Sequence, residues 1–215
     1  MRSAQITNPV AYWDGVAGIK TFTHPLRPGF FGPFAGRESR VVDFGCGYGR
    51  VVKQLLDLGY THVTGYDTPA AMIARGQGTD KLPIFHIATA EDLPVEDHTI
   101  DAFLLFAVLT CIPSNREQQA LINLLHTKLK KGGIVYISDY YLQEESHEVS
   151  RYEHLDGDSH NFGVFTLPDG AVFRHHTTDW ISTLLRPFTT LAQQSITVTT
   201  MNGHPATGFQ LIAQK

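Results

Sequence analysis

Two aspartates and three glycines carry the clearest chemistry in this sequence. Val41-Val42-Asp43-Phe44 reads as a buried strand, which Gly45-Cys46-Gly47-Tyr48-Gly49 breaks into a tight turn leading to a helix from about Arg50. Glycines without a Cβ let the backbone turn sharply and come close to a ligand. The helix that follows aims its unpaired N–H groups and the positive end of its dipole at the same spot. That geometry suits a nucleoside-type cofactor with an anionic group. A dinucleotide turn has Gly-x-Gly-x-x-Gly, whereas this one is Gly-x-Gly-x-Gly with Asp43 two positions ahead. The next apolar run, 62–67, ends in Asp67, where a carboxylate can accept both hydroxyls of a ribose. Nicotinamide-binding folds share that acid, so Asp67 by itself does not separate the two kinds of cofactor.

These groups need a scaffold, and the hydrophobic pattern supplies one. Apolar runs at 40–44, 62–67, 84–87, 101–106 and 133–138 alternate with helical patterns at 49–58, 69–75 and 115–130. Alternation of this kind predicts an α/β fold with a parallel sheet. The last helix has a start signal in Ser114 with Glu117 three residues on, and Lys130-Lys131-Gly132-Gly133 is expected to end it. From 140 to 176 the chain is rich in aromatics, histidines and Asp/Gly turns without a clean period, and reads as an insertion over the sheet edge. A short helix at 178–185 stops before Pro187, and alternating runs at 195–201 and 208–213 flank Asn202-Gly203 as a terminal hairpin.

The 215 residues fit one domain, with 1–36 as an amino-terminal cap and 140–176 as the insertion. The net charge of −4 gives no general attraction to nucleic acid or an anionic membrane. Neither a secretory leader nor an apolar run near 20 residues is visible, so a cytoplasmic setting is expected. Cys46 and Cys111 are then expected to be reduced thiols. The expected partner is a small molecule, without nucleic acid or membrane, for a monomer or homodimer.

The turn at 43–49, with Asp67 and the terminal hairpin, resembles motif I and its surroundings in the class I S-adenosylmethionine-dependent methyltransferases. The resemblance has specific motifs from about 40 to 140. It implies a three-layer, doubly wound, Rossmann-like sheet of seven strands in the order 3-2-1-4-5-7-6, the last antiparallel. Ligands in such sheets sit at the carboxyl ends of the strands. Asp43, Gly45, Cys46, Gly47 and Gly49 would then hold the methionine half of the cofactor, and Asp67 the ribose, with Thr68 and Met72 against ribose or adenine. After the third strand, Thr89 stands where the family commonly has an aspartate for the adenine amino group, with Ala90 and Glu91 beside it. Phe106 and Ala107 would line the cofactor through backbone groups.

The implied reaction is methyl transfer from S-adenosylmethionine to a small-molecule acceptor. Its catalytic candidates are His24 in the cap, alongside Tyr12 and Lys20, and Tyr140 and His175 in the insertion. His175 and His176 are adjacent, so in an extended segment they face opposite ways and at most one is expected to reach the site. Cys111 reads as an inert thiol, because Pro113 follows it rather than preceding it. His154, His160, His175 and His176 match no metal-ligand spacing, and no metal is expected. Two alternatives remain: a nicotinamide-dependent oxidoreductase, and a non-catalytic subunit that binds S-adenosylmethionine.

Overall fold

The computed structural model describes residues 9–144, 151–154 and 161–215. In chain order the strands are β1 (Arg40–Phe44), β2 (His62–Asp67), β3 (Ile84–His86), β4 (Ile100–Phe106) and β5 (Leu129–Tyr140). They continue with β6 (Glu153–His154), β7 (Phe162–Thr166), β8 (Val172–Arg174), β9 (Thr189–Thr199) and β10 (Pro205–Gln214). The helices are α1 (Pro9–Val16), α2 (Pro28–Phe31), α3 (Arg50–Asp57), α4 (Ala70–Asp80), α5 (Asn115–Lys128) and α6 (Thr178–Leu184).

Seven strands form one sheet in the order β3-β2-β1-β4-β5-β10-β9. The first five run parallel, and β10 is antiparallel to both β5 and β9. This is the expected order, with β9 and β10 as its sixth and seventh members. Apolar side chains cover both faces. Leu121, Ile122 and Leu125 of α5 and Ile181 and Leu184 of α6 pack on one, while Phe31 of α2, Val51, Val52 and Leu55 of α3 and Ile73 of α4 pack on the other. Central β4 is apolar almost throughout because it meets protein on both sides.

The strands β5, β9 and β10 start earlier than expected, at Leu129, Thr189 and Pro205, and two helix ends differ for packing reasons. The helix expected to end at Arg75 continues to Asp80 through Gly76. A Cβ on Gly76 would lie 2.3 Å from the Tyr48 carbonyl oxygen, so this glycine marks a close approach of α4 to the glycine turn rather than a stop. The helix expected to reach residue 130 ends at Lys128, because buried Leu129 already pairs with Ile100 at the start of β5.

The segment 140–176 contains more structure than its pattern suggested. A three-stranded antiparallel sheet, β6-β7-β8, is turned at Pro168-Asp169-Gly170. Its Phe165 and Phe173, with Tyr152 just before β6, share an apolar cluster with Tyr12 of α1. The segment after α1 crosses the carboxyl ends of the strands and is fastened there. Asp14 accepts the Ala71 amide at 2.8 Å, standing in for the side-chain cap that Pro69 cannot give α4. Arg75 donates to the carbonyls of Ala17 and Lys20, both at 2.8 Å, and Arg50 donates to that of His24.

Candidate active site

The glycine turn has positive φ at Gly45, Gly47 and Gly49. Gly47 shows why no side chain is tolerated: its φ is +55°, and a Cβ there would lie 2.0 Å from the Phe22 ring. Phe22 stacks on Tyr48 at 5.0 Å and its amide donates to the Tyr48 hydroxyl, so the cap rests directly on the turn.

Asp67 ties the turn to the end of β2. Its Oδ2 accepts the Gly47 amide at 2.6 Å and its Oδ1 the Thr68 amide at 2.7 Å. Burial pushes the carboxyl up to about 6, and those two amides oppose the rise. Asp67 borders a cavity of about 1350 Å³, and each of its oxygens keeps a lone pair for a further donor. Thr68, Met72, Ala90, Glu91, Phe106, Ala107 and Gly45 share that wall. Ile87 and Val108, which sequence reasoning had not singled out, join them.

Four expected cofactor residues stand behind the wall rather than on it. Asp43, Cys46, Gly47 and Gly49 shape the turn from the core side. Asp43 is fully enclosed, and its Oδ2 has no hydrogen-bond partner among the described residues. Burial drives its carboxyl up to about 8 against the opposing pull of Arg50. The Cys46 thiol packs toward Gly65 in the core, and burial pushes it up as well. Thr89 also differs from expectation. It caps the short 3-10 turn at Ala90–Asp92, donating its hydroxyl to Asp92 at 3.0 Å. With that hydroxyl engaged away from the cavity, the wall near the third strand falls to Ala90 and Glu91.

The same cavity extends to the cap and the small sheet. Tyr12, Lys20, His24, Tyr140 and His175 all border it, as do Trp13, Phe165 and Phe173. His175 stacks on Tyr140 at 5.0 Å, and its Nδ1 meets the Tyr152 hydroxyl at 2.7 Å. Burial, with Arg151 nearby, holds this imidazole well below its ordinary range, so it is neutral. His24 pairs its Nδ1 with Ser138 at 3.0 Å, and its ring meets Tyr140 edge-on. Its Nε2 is enclosed without a partner among the described residues, and burial lowers the ring to about 3. His176 borders the cavity too, contrary to the expectation of one histidine at most. Its two nitrogens are engaged by the Tyr140 carbonyl and Gln118, so of the adjacent pair only His175 keeps a nitrogen for a ligand.

Cys111 donates to the Ala107 carbonyl at 3.3 Å and burial pushes its thiol up, which suits an unreactive wall residue. His160 lies outside the described residues. Among the described residues no group of three or more His, Cys, Asp or Glu side chains is placed to hold a metal. Tyr152, Phe165 and Phe173 were missed in the sequence. The signal that would have found the last two is Pro-Asp-Gly between Phe162-Gly163-Val164-Phe165 and Ala171-Val172-Phe173, a strand–turn–strand pattern.

This sheet order, with a glycine turn after β1 and an acid closing β2 on one cavity, defines a nucleoside-cofactor fold of the methyltransferase type. A methyltransferase domain family matches residues 42–137. O-methyltransferase 3 of Dictyostelium discoideum is 34% identical over 119 residues, covering 50% of this chain and 27% of the relative. The chain thus spans about a quarter of the length of that curated relative. A SAM-dependent methyltransferase from Methanosarcina mazei superposes with a TM-score of 0.79 at 23% identity, covering 88% of this chain and 98% of that one. The 1,6-didemethyltoxoflavin-N1-methyltransferase of Burkholderia thailandensis, solved with its substrate and S-adenosylhomocysteine, gives 0.61 at 16% identity over 98% and 79% of the two chains. Residues 42–137 thus match a methyltransferase domain family, the superpositions show the same fold, and these findings support S-adenosylmethionine, rather than a nicotinamide, as the cofactor.

Proposed function

We propose that this protein transfers the methyl group of S-adenosylmethionine to a small molecule. The observation that carries this reading is the continuity of one cavity from Gly45 and Asp67 to Tyr140 and His175. At about 1350 Å³ it exceeds the usual range for a single ligand, roughly 300–1,000 Å³, so cofactor and acceptor have room to lie side by side.

When bound, S-adenosylmethionine supplies an electrophilic methyl group and leaves as the neutral thioether. Asp67 would accept the ribose hydroxyls with the lone pairs that the Gly47 and Thr68 amides leave. Met72, Ile87, Ala90 and Glu91, which line the cavity, would hold the adenine, and the turn beside Gly45 would hold the methionine half. On the acceptor side, His175 Nε2 receives the proton that the acceptor loses as its new bond to the methyl carbon forms. Tyr140 fixes the plane of that imidazole by stacking. His24 anchors the cap to β5 through Ser138, and its enclosed Nε2 favours this holding role over proton transfer. The name of the Dictyostelium relative favours oxygen as the acceptor atom.

The wider reading is a single domain working in the cytoplasm as a monomer or homodimer, without nucleic acid. No described helix is long and apolar enough to cross a membrane. A thermal titration tests the core of the proposal. S-adenosylhomocysteine raises the melting temperature by mass action while NADH does not. Absence of a shift at millimolar S-adenosylhomocysteine would sink the reading.

A further inference from the structure

We infer that the acceptor half of the cavity is shaped for a planar aromatic ring bearing a hydroxyl group, held between α1 and the small sheet. The inference rests on the methyl-transfer reading above and narrows its acceptor. Six rings from three parts of the chain border this half: Tyr12 and Trp13 from α1, Tyr140 at the end of β5, Phe165 and Phe173 from the β7–β8 hairpin, and His175 just beyond it. Trp13 meets Phe173 edge-on at 6.1 Å and 77°, and Tyr12 meets the same ring at 6.0 Å and 79°. Phe165 meets His175 at 4.8 Å and 69°, and His175 lies nearly parallel to Tyr140.

Walls arranged this way present both ring faces and ring edges. A further aromatic ring can pair its own quadrupole with them, whereas a saturated ring of equal size gains only the burial of its area. Each wall ring is already fixed by ring neighbours, so little side-chain freedom remains to be lost on binding.

The hydroxyl follows from the polar groups at one side. Tyr152 holds His175 Nδ1 at 2.7 Å and accepts the Gln143 amide at 2.9 Å, which leaves Nε2 as the nitrogen for a ligand. Arg151 sits over Phe165, 4.1 Å from its ring centre. A guanidinium there repels an ammonium-bearing acceptor and favours an oxygen with an acidic proton, as in a phenol. The neutral imidazole then accepts a hydrogen bond from that hydroxyl.

The test uses the full chain saturated with S-adenosylhomocysteine and two probes titrated by calorimetry. They are 2-naphthol and decahydro-2-naphthol, which share a carbon skeleton and a hydroxyl but differ in π-character. The aromatic probe is expected to bind about tenfold or more tightly. Phe173→Leu is expected to shrink that preference severalfold without changing the affinity for S-adenosylhomocysteine. Phe165→Leu, on another wall, replaces it as the variant if Phe173→Leu does not fold. Equal binding of the two probes, or binding of neither by a protein that still takes S-adenosylhomocysteine, overturns the aromatic chamber and leaves methyl transfer standing. Failure to bind S-adenosylhomocysteine overturns both.

Discussion

Asp67 Oδ2 accepts the Gly47 amide at 2.6 Å, so the acid that closes β2 and the turn that follows β1 form one rigid unit. The carboxylate is thereby aimed before any ribose arrives. Asp67→Ala is expected to weaken S-adenosylhomocysteine binding by about 1.5–3 kcal/mol, the range for losing a hydrogen bond to a charged group. Because burial raises this carboxyl to about 6, the wild-type affinity should also fall as pH drops below 6 and the acceptor becomes protonated. Calorimetry from pH 5 to 8 checks both. An Asp67→Ala affinity equal to wild type would mean that the ribose is held elsewhere.

Gly47→Ala addresses the other half of that unit. A left-handed backbone costs an L-residue roughly 1–2 kcal/mol, and the new Cβ would also displace the Phe22 ring that lies 2.0 Å from its position. The melting temperature should drop by several degrees, and the segment 9–24 should become more sensitive to limited proteolysis. Adding Phe22→Ala should recover the steric part but not the backbone part. Full recovery in the double variant would show that φ is not the constraint.

What the sequence disclosed and what it hid have separate physical causes. Strands β1 and β2 were readable to the residue because apolar runs end abruptly at Phe44 and Asp67. The helix expected over 69–75 runs on through Gly76, whose reason lies in the distant Tyr48 carbonyl, which no local pattern encodes. Thr89 was placed by its position in a motif, whereas its hydroxyl answers to Asp92 three residues on. The small sheet stayed hidden because its faces are covered by α1 and by aromatic neighbours, which erases the alternation a half-exposed strand would show.

Asp14 caps α4 from a segment 57 residues away, at 2.8 Å from the Ala71 amide. Asp14→Ala is expected to cost about 1 kcal/mol, the ordinary worth of a cap. The functional effect should be larger than the thermal one. The cap loses a fastening, so S-adenosylhomocysteine should dissociate several-fold faster in stopped-flow measurements while the fold persists. A dissociation rate equal to wild type would show that Arg75 and Arg50 suffice to hold the cap.

His175 and His24 differ in what they leave open, and their variants should differ accordingly. His175→Gln is expected to lower kcat by a factor of about 100 or more, as for loss of a general base, with cofactor affinity unchanged. His24→Gln should lower the melting temperature more than it lowers kcat, because its Nδ1 secures the cap to Ser138 and its Nε2 is enclosed. Steady-state kinetics with an identified acceptor, set beside thermal melts, separates the two. The opposite ranking would exchange their roles.

The buried acids and histidines predict a stability profile whose sign follows from their shifts. Burial raises Asp43 to about 8 and Asp139 to about 7. The stability that comes from keeping these protons is complete below the unfolded value near 3.8 and is lost as pH rises through 7 and 8. Burial lowers His24 and His176 to about 3. Their contribution is complete above the unfolded value near 6.5 and is lost as pH falls toward 3. The unfolded histidines are half protonated at pH 6.5 and almost wholly neutral by about pH 7.5, so they partly offset the acids up to there, and above it the acids govern the change. Each contributes a slope of about 1.4 kcal/mol per pH unit until it ionises. The apo protein should therefore melt at progressively lower temperature from pH 7.5 to 8.5, and Asp43→Asn, which cannot ionise, should flatten much of that fall. A wild-type melting temperature that holds constant across this range would mean that Asp43 is already ionised at pH 7.5, with Arg50 outweighing its burial.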